Sequence, residues 1–315
     1  MDNIRESLKL SSKLYNKNIP HLNECLKTIY LCHEKLKFES NYCEYGYFHG
    51  ANPILYNVFS LNNSVSRPVR PDIYISDTKQ LEENLLLSHK ALSRGGIDLS
   101  NKEIISINRI VYTSVMSVAC CFDLWQRGSR KTPGTFFEFF MAALLKTMLP
   151  NQLFSKHIPL GNLLGDIETT EGVSHDASNE DEEDGGTASV STDLVIGSPH
   201  RSGGLVIPLK ITTRERIVQP FAHQRILNAA FGNNAYQSLL VCISETQLDD
   251  KTRSVKQVCV PGTVKLFQKY LSPISGLYYC DIPQRYSSFD IQNIIPVKTI
   301  GDLFIDISNY FHSHN

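Results

Sequence analysis

Apolar residues recur at three- and four-residue spacing through Asn3–Tyr15, Ile19–Lys37, Thr78–Leu92 and Asn101–Trp125, which predicts four helices before residue 130. Between them, His49–Asp72 is rich in Gly, Asn and Pro and reads as loop. The segment Arg127-Gly-Ser-Arg-Lys-Thr-Pro-Gly134 breaks the pattern, and a strong helix follows over Thr135–Leu149, ended by Pro150 and Asn151. The period then changes. Ser191–Gly197 alternates like a strand, Ser198–Gly204 reads as a turn, and Leu205–Ile211 is a second strand, so the pair predicts a hairpin. Arg216–Phe231 reads as a helix closed by Gly232-Asn-Asn, and the apolar run Ser238–Ser244 as a buried strand parallel to its predecessor. Val264–Tyr270 is a short helix and Gly276–Asp281 a further strand. The order helix, strand, strand, helix, strand, helix implies an α/β (mixed α+β) fold with a central mixed sheet flanked by helices. Residues 1–130 form a mainly helical N-terminal region and residues 131–315 the sheet-bearing domain.

Composition narrows the class. With 315 residues, 42% hydrophobic and 20% charged, the chain is not wholly disordered, collagen-like or coiled-coil. No apolar run approaches the roughly 20 residues that cross a bilayer. The start, Met-Asp-Asn-Ile-Arg-Glu-Ser, lacks the apolar core of a secretory signal. The expectation is a soluble cytoplasmic protein with no membrane partner. The eight cysteines include no C-x-x-C pair, which favours reduced core thiols over a zinc site.

The formal charge of −1 hides an uneven distribution. Nine acids and no Lys or Arg lie between Asp166 and Asp184, so the rest of the chain carries +8. Residues 171–191 are also poor in large apolar side chains, and read as a mobile acidic loop, with a metal-binding cluster as the alternative. From Pro199 to Arg225 the balance reverses: Arg201, Lys210, Arg214, Arg216 and Arg225 face one acid, Glu215. A patch of that sign attracts phosphates.

Three polar residues stand out in the apolar sheet region. Asp193 lies in Thr-Asp-Leu-Val-Ile, Lys210 ends Val-Ile-Pro-Leu-Lys, and Glu138 lies in Phe-Phe-Glu-Phe-Phe, in the first turn of the preceding helix. A hairpin brings Asp193 and Lys210 to one sheet end, and the helix can place Glu138 nearby. Carboxylates hold Mg²⁺, a hard cation that keeps part of its water shell. The ion activates a bound water and offsets phosphate charge, while a lysine orients that water. Each residue also has a structural reading. Thr135-x-x-Glu138 fits a capping box, Asp193 could pair with a turn amide, and Lys210 could extend its tip into water.

In this order the residues resemble the PD-(D/E)xK nuclease core, to which many type II restriction endonucleases belong. Lys210-Ile-Thr-Thr-Arg214-Glu215-Arg216 further resembles the K-x-x-x-R-(D/E)-R segment of those that read CCGG, CCNGG or CCWGG. The resemblance covers about a third of the chain, from Phe136 to Cys242. It implies a catalytic Lys210, metal ligands Asp193 and Glu138, and base recognition by Arg214, Glu215 and Arg216. That chemistry is sound, since arginine pairs bidentately with guanine and a carboxylate accepts from cytosine. The structural alternative is a solvated helix start whose glutamate favours the helix dipole. Where the family carries an acid two residues before the lysine, this chain has Pro208. The subgroup often moves that acid to the following helix, where this chain offers His223 and Gln224. Either would complete the metal shell through a water, unless the chain is a weakened relative or the two are a core histidine and a solvated glutamine.

The expected function is Mg²⁺-dependent cleavage of double-stranded DNA at a short C·G-containing palindrome, by a homodimer matched to two-fold DNA. The N-terminal region would supply dimer or flanking DNA contacts. The alternatives are a repair or recombination nuclease that reads structure, and a DNA-binding protein on a degenerate nuclease core.

Overall fold

A computed structural model describes residues 1–129, 131–160, 189–198 and 203–313, apart from the side chains of Arg214 and Glu215. Of the acidic loop expected over 171–191, residues 171–188 lie outside the described residues, as do the turn residues 199–202, while residues 189–191 belong to a strand and not to a loop. The chain opens with α1 (Asp2–Asn16) and α2 (Leu22–Glu39), then β1 (Asn41–Phe48), β2 (Ile54–Leu61) and β3 (Ser64–Val65). Next come α3 (Thr78–Ser93), α4 (Asn101–Trp125), α5 (Thr132–Met148), β4 (Leu153–Pro159), β5 (Ser189–Gly197), β6 (Gly204–Val206) and β7 (Leu209–Lys210). After α6 (Val218–Phe231), the elements are β8 (Tyr236–Ser244), β9 (Thr246–Asp249), β10 (Ser254–Gln257), α7 (Pro261–Tyr270), β11 (Gly276–Asp281), α8 (Phe289–Gln292), β12 (Val297–Thr299) and α9 (Ile300–Ser313).

The central sheet has the order β12-β11-β8-β6-β5-β4, with β7 also pairing to β8. β12, β11, β8, β6 and β7 run parallel, while β5 pairs antiparallel with β6 and β4 antiparallel with β5. The sheet is therefore mixed and flanked by helices, as the pattern predicts. The run Ser238–Ser244 is apolar because both faces of β8 are covered. Leu239, Val241 and Ile243 face the larger core, and Leu240 and Cys242 the smaller one. That larger core runs without a break from Ile4 in α1 through α4 and α5 to Phe311 in α9. Asn108 ties α4 to the sheet, giving its Nδ2 to the Cys280 carbonyl at 3.0 Å and accepting the Ile300 amide at 3.2 Å.

Several expectations change. The stretch read as loop, His49–Asp72, contains β2 and β3, and β2 forms an antiparallel pair with β1. Gly50, Asn52 and Pro53 are only the hairpin turn, and the buried Tyr56, Val58 and Phe59 belong to the strand. The strand predicted over Leu205–Ile211 is broken in two. Pro208 has no N–H to give, so pairing with β5 stops near Ile207, whose amide still reaches the Leu194 carbonyl at 2.8 Å. α4 is long and apolar enough to cross a bilayer, against the sequence reading, but 83% of its apolar window is buried inside the fold. It is spent on the core. All eight cysteines are free and seven are buried, with Cys43 exposed, as expected of core thiols.

Candidate active site

The break at Pro208 builds the site. The next amide, that of Leu209, turns from the ladder to the side chain of Asp193, donating to Oδ2 at 2.7 Å. Lys210 Nζ donates to the same oxygen at 2.7 Å. One carboxylate oxygen thus takes a backbone and an ammonium donor, which fixes its orientation. Among the described residues nothing donates to Oδ1.

Glu138 approaches from α5. Its neighbours Phe136, Phe137 and Phe140 are buried, and Phe136 stacks on Phe140 at 5.8 Å, which locks the helix on the sheet. The capping-box reading of Glu138 is corrected: α5 starts at Thr132 with Pro133 in its first turn, so Thr135 is already helical. Glu138 lies in the second turn and caps nothing. Its Oε2 accepts from Lys156 on β4 at 3.1 Å, and Lys156 also lies over the Tyr15 ring at 4.8 Å. Burial pushes the Glu138 carboxyl above the usual range and Asp193 adds to this, while Lys156 and Lys210 oppose it. The two carboxylates therefore feel one another.

Asp193, Lys210 and Glu138 all line one open cleft of about 1190 Å³. Arg127, Lys131 and Arg216 are exposed along it, and its far wall includes Ser66 and Arg67 from the N-terminal region. Arg67 is held there by a bidentate ion pair with Asp123, at 2.8 and 3.0 Å. Asp123, Glu138, Asp193 and Asp250 also line the cleft, so the charges that suit a polyanion are the exposed Arg127, Lys131 and Arg216. Arg214 to Ile217 forms a single 3-10 turn before α6, where the sequence suggested a helix start at Arg216. The side chains of Arg214 and Glu215 lie outside the described residues.

The two residues offered in place of the missing acid separate. The amide of Gln224 is buried and saturated: Nε2 donates to Asn228 and to the Tyr236 carbonyl, at 2.8 and 2.9 Å, and Oε1 accepts the Ser238 amide at 2.8 Å. It ties α6 to β8 and is not a solvated or metal-facing group. His223 differs. Its Nδ1 is buried without a hydrogen-bond partner among the described residues. Burial pushes its ring below the usual value, Lys210 adds to that, and Asp193 opposes it, so His223 shares the field of the Asp193–Lys210 pair.

The residues present fit a divalent cation of the Mg²⁺ type. Asp193 and Glu138 supply hard carboxylate oxygens, and Mg²⁺ takes one or two of these while keeping its waters and the substrate phosphate. Among the described residues no group of three or more His, Cys, Asp or Glu side chains is placed to hold a metal ion, so Asp193 and Glu138 would be the two protein ligands. Sequence reading missed Lys156: alternate partly buried and exposed positions in Leu153–Pro159 give an edge strand, and nothing in the sequence names its partner.

No family model and no curated protein sequence matches the chain. Two solved structures resemble it. The crystal structure of the type IIP restriction endonuclease Kpn2I superposes with a TM-score of 0.87 and is 46% identical, covering 100% of this chain and 99% of that one. The complex of restriction endonuclease PspGI with substrate DNA reaches a TM-score of 0.45 and 16% identity, covering 75% of this chain and 93% of that one. With nearly half its residues shared with Kpn2I over the whole of both chains, the protein belongs to the type II restriction endonucleases and is a site-specific deoxyribonuclease.

Proposed function

We propose that the protein cuts double-stranded DNA in a Mg²⁺-dependent reaction at a short palindrome with a C·G core of the CCGG or CCNGG kind. Asp193 and Glu138 hold the ion, and Lys210 positions the attacking water. The observation that carries this reading is the 2.7 Å pair between Lys210 and Asp193 on the wall of an open cleft that also holds Glu138 and the exposed Arg216.

When bound, the ion supplies a water of lowered pKa and offsets charge on the phosphate. The chain's own residues do the rest. Asp193 is oriented by the Leu209 amide, which leaves Oδ1 for the ion. Lys210 holds the water by donating to it, and its charge offsets that of the phosphate oxygens. Glu138 must be ionised to serve, and Lys156 favours that state. Through its buried Nδ1, His223 is the one of the two substitute residues that suits a water-mediated role.

Arg214 and Arg216 read guanine and Glu215 reads cytosine. The N-terminal region adds DNA contacts through the wall at Ser66 and Arg67. A homodimer, acting in the cytoplasm, would present two such sites to a two-fold target. Digestion of phage DNA with Mg²⁺, followed by sequencing of the ends, tests the proposal. Discrete ends sharing a C·G-rich palindrome support it. Cutting only at branched or damaged DNA would replace it with the repair reading.

A further inference from the structure

Glu245 follows the last residue of β8 and is fully buried. A glutamate after an apolar strand usually turns to solvent. This one turns inward to Thr213, the residue before the Arg214-Glu215-Arg216 triplet. The Thr213 amide donates to Oε1 at 3.0 Å and to Oε2 at 3.2 Å, and the Thr213 hydroxyl donates to Oε1. The Tyr279 hydroxyl reaches Oε1 at 3.4 Å and the Cys242 thiol at 3.7 Å. All of these groups donate, as an acceptor-only carboxylate requires.

Thr213 is the fixed point of the 3-10 turn. Its own hydroxyl does not cap that turn. Its carbonyl accepts the Arg216 amide at 2.9 Å. Glu245 therefore grips the donors of Thr213, and the acceptor of Thr213 grips the backbone of Arg216. The anchor is rigid: Glu245 is buried at the end of a central strand, and its own carbonyl accepts the Val258 amide at 2.8 Å. Thr213 is buried too, while Arg216 is exposed in the cleft.

We infer that Glu245 is the positioning residue for base readout, holding the Arg214–Arg216 turn in one register through Thr213. It touches no DNA itself. A bidentate arginine–guanine pair tolerates little displacement, so loosening this anchor blurs sequence choice. The inference rests on the readout role proposed above for the triplet, and the test separates the two.

Wild type, Arg216→Ala, Thr213→Val, Thr213→Ser and Glu245→Ala are each given a randomised duplex library with Mg²⁺, and the cut ends are sequenced. Thr213→Val removes the hydroxyl at nearly constant volume, and Thr213→Ser keeps it. Arg216→Ala, Thr213→Val and Glu245→Ala are expected to lose preference at the same C·G position, by about tenfold or more. Thr213→Ser is expected to keep it. If Arg216→Ala loses preference while Thr213→Val and Glu245→Ala slow all sites in proportion, the inference is overturned and the readout stands. If Arg216→Ala keeps full preference, both are overturned. Should Glu245→Ala fail to fold, the Thr213 pair decides.

Discussion

Lys156 Nζ lies 3.1 Å from Glu138 Oε2, and the same ammonium sits 4.8 Å above the Tyr15 ring. A half-buried carboxylate is thereby given a charge partner from an edge strand. Burial pushes the Glu138 carboxyl up, and Lys156 is the larger of the two effects holding it down. Glu138 serves an ion only when ionised, so cleavage should rise as pH climbs through its raised value. Lys156→Met removes the opposing charge and should move that rise to higher pH. Rate against pH at a fixed Mg²⁺ concentration well below saturation checks this, and an unmoved or lowered acid limb would count against Glu138 as a ligand.

Arg214 offers a second test. Arg214→Ala should weaken cleavage of the preferred site by about 1–3 kcal/mol and relax choice at one base pair. Competition between the preferred duplex and single-base variants measures it. A uniform loss on every sequence would make Arg214 a phosphate contact.

Asp281 is buried at the end of β11, where Arg70 reaches it at 2.7 Å, Tyr56 at 2.8 Å and Ser244 at 3.2 Å. The first two partners come from the N-terminal region and the third from β8. Arg70→Met would strand a buried charge, at a cost of about 3–5 kcal/mol. A melting temperature within a degree or so of wild type would contradict that.

Stability should also fall in acid through the start of α4. Arg94, then the amide and hydroxyl of Ser100, hold the Glu103 carboxyl down to about 2. The folded-state value lies below the unfolded one, so this stabilisation is complete above the ordinary carboxylate range and is lost as pH drops toward 2. Glu103→Gln should be less stable than wild type at neutral pH, by about 0.3–1 kcal/mol for the charge lost at the helix start, and the gap should close in acid. A gap that persists at low pH would assign the effect to packing.

The sheet was legible because its order rests on local pattern. Residues 239–243 are apolar throughout, and Asp193 and Lys210 interrupt apolar strands at positions a hairpin superimposes. What escaped was set by distant contacts. β2 has strand-like residues, but Gly, Asn and Pro at its turn obscured them. α5 starts at Thr132, three residues before Thr135, which removes the cap that Thr135-x-x-Glu138 suggests. Lys156 and Glu245 look like ordinary surface charges in sequence, and only folding brings them to Glu138 and Thr213. Gln224 matched a family position by spacing, yet Tyr236 and Ser238 take its amide.

The central claim is that Asp193, Glu138 and Lys210 act together in one ion-dependent cut. The most direct measurement is cleavage of a defined plasmid by wild type and by Asp193→Ala, with and without Mg²⁺, at concentrations where both occupy the DNA. The account predicts discrete fragments from wild type only when the ion is present, and none from the variant although it binds. Equal cutting by Asp193→Ala, or undiminished cutting by wild type after exhaustive chelation, would contradict it.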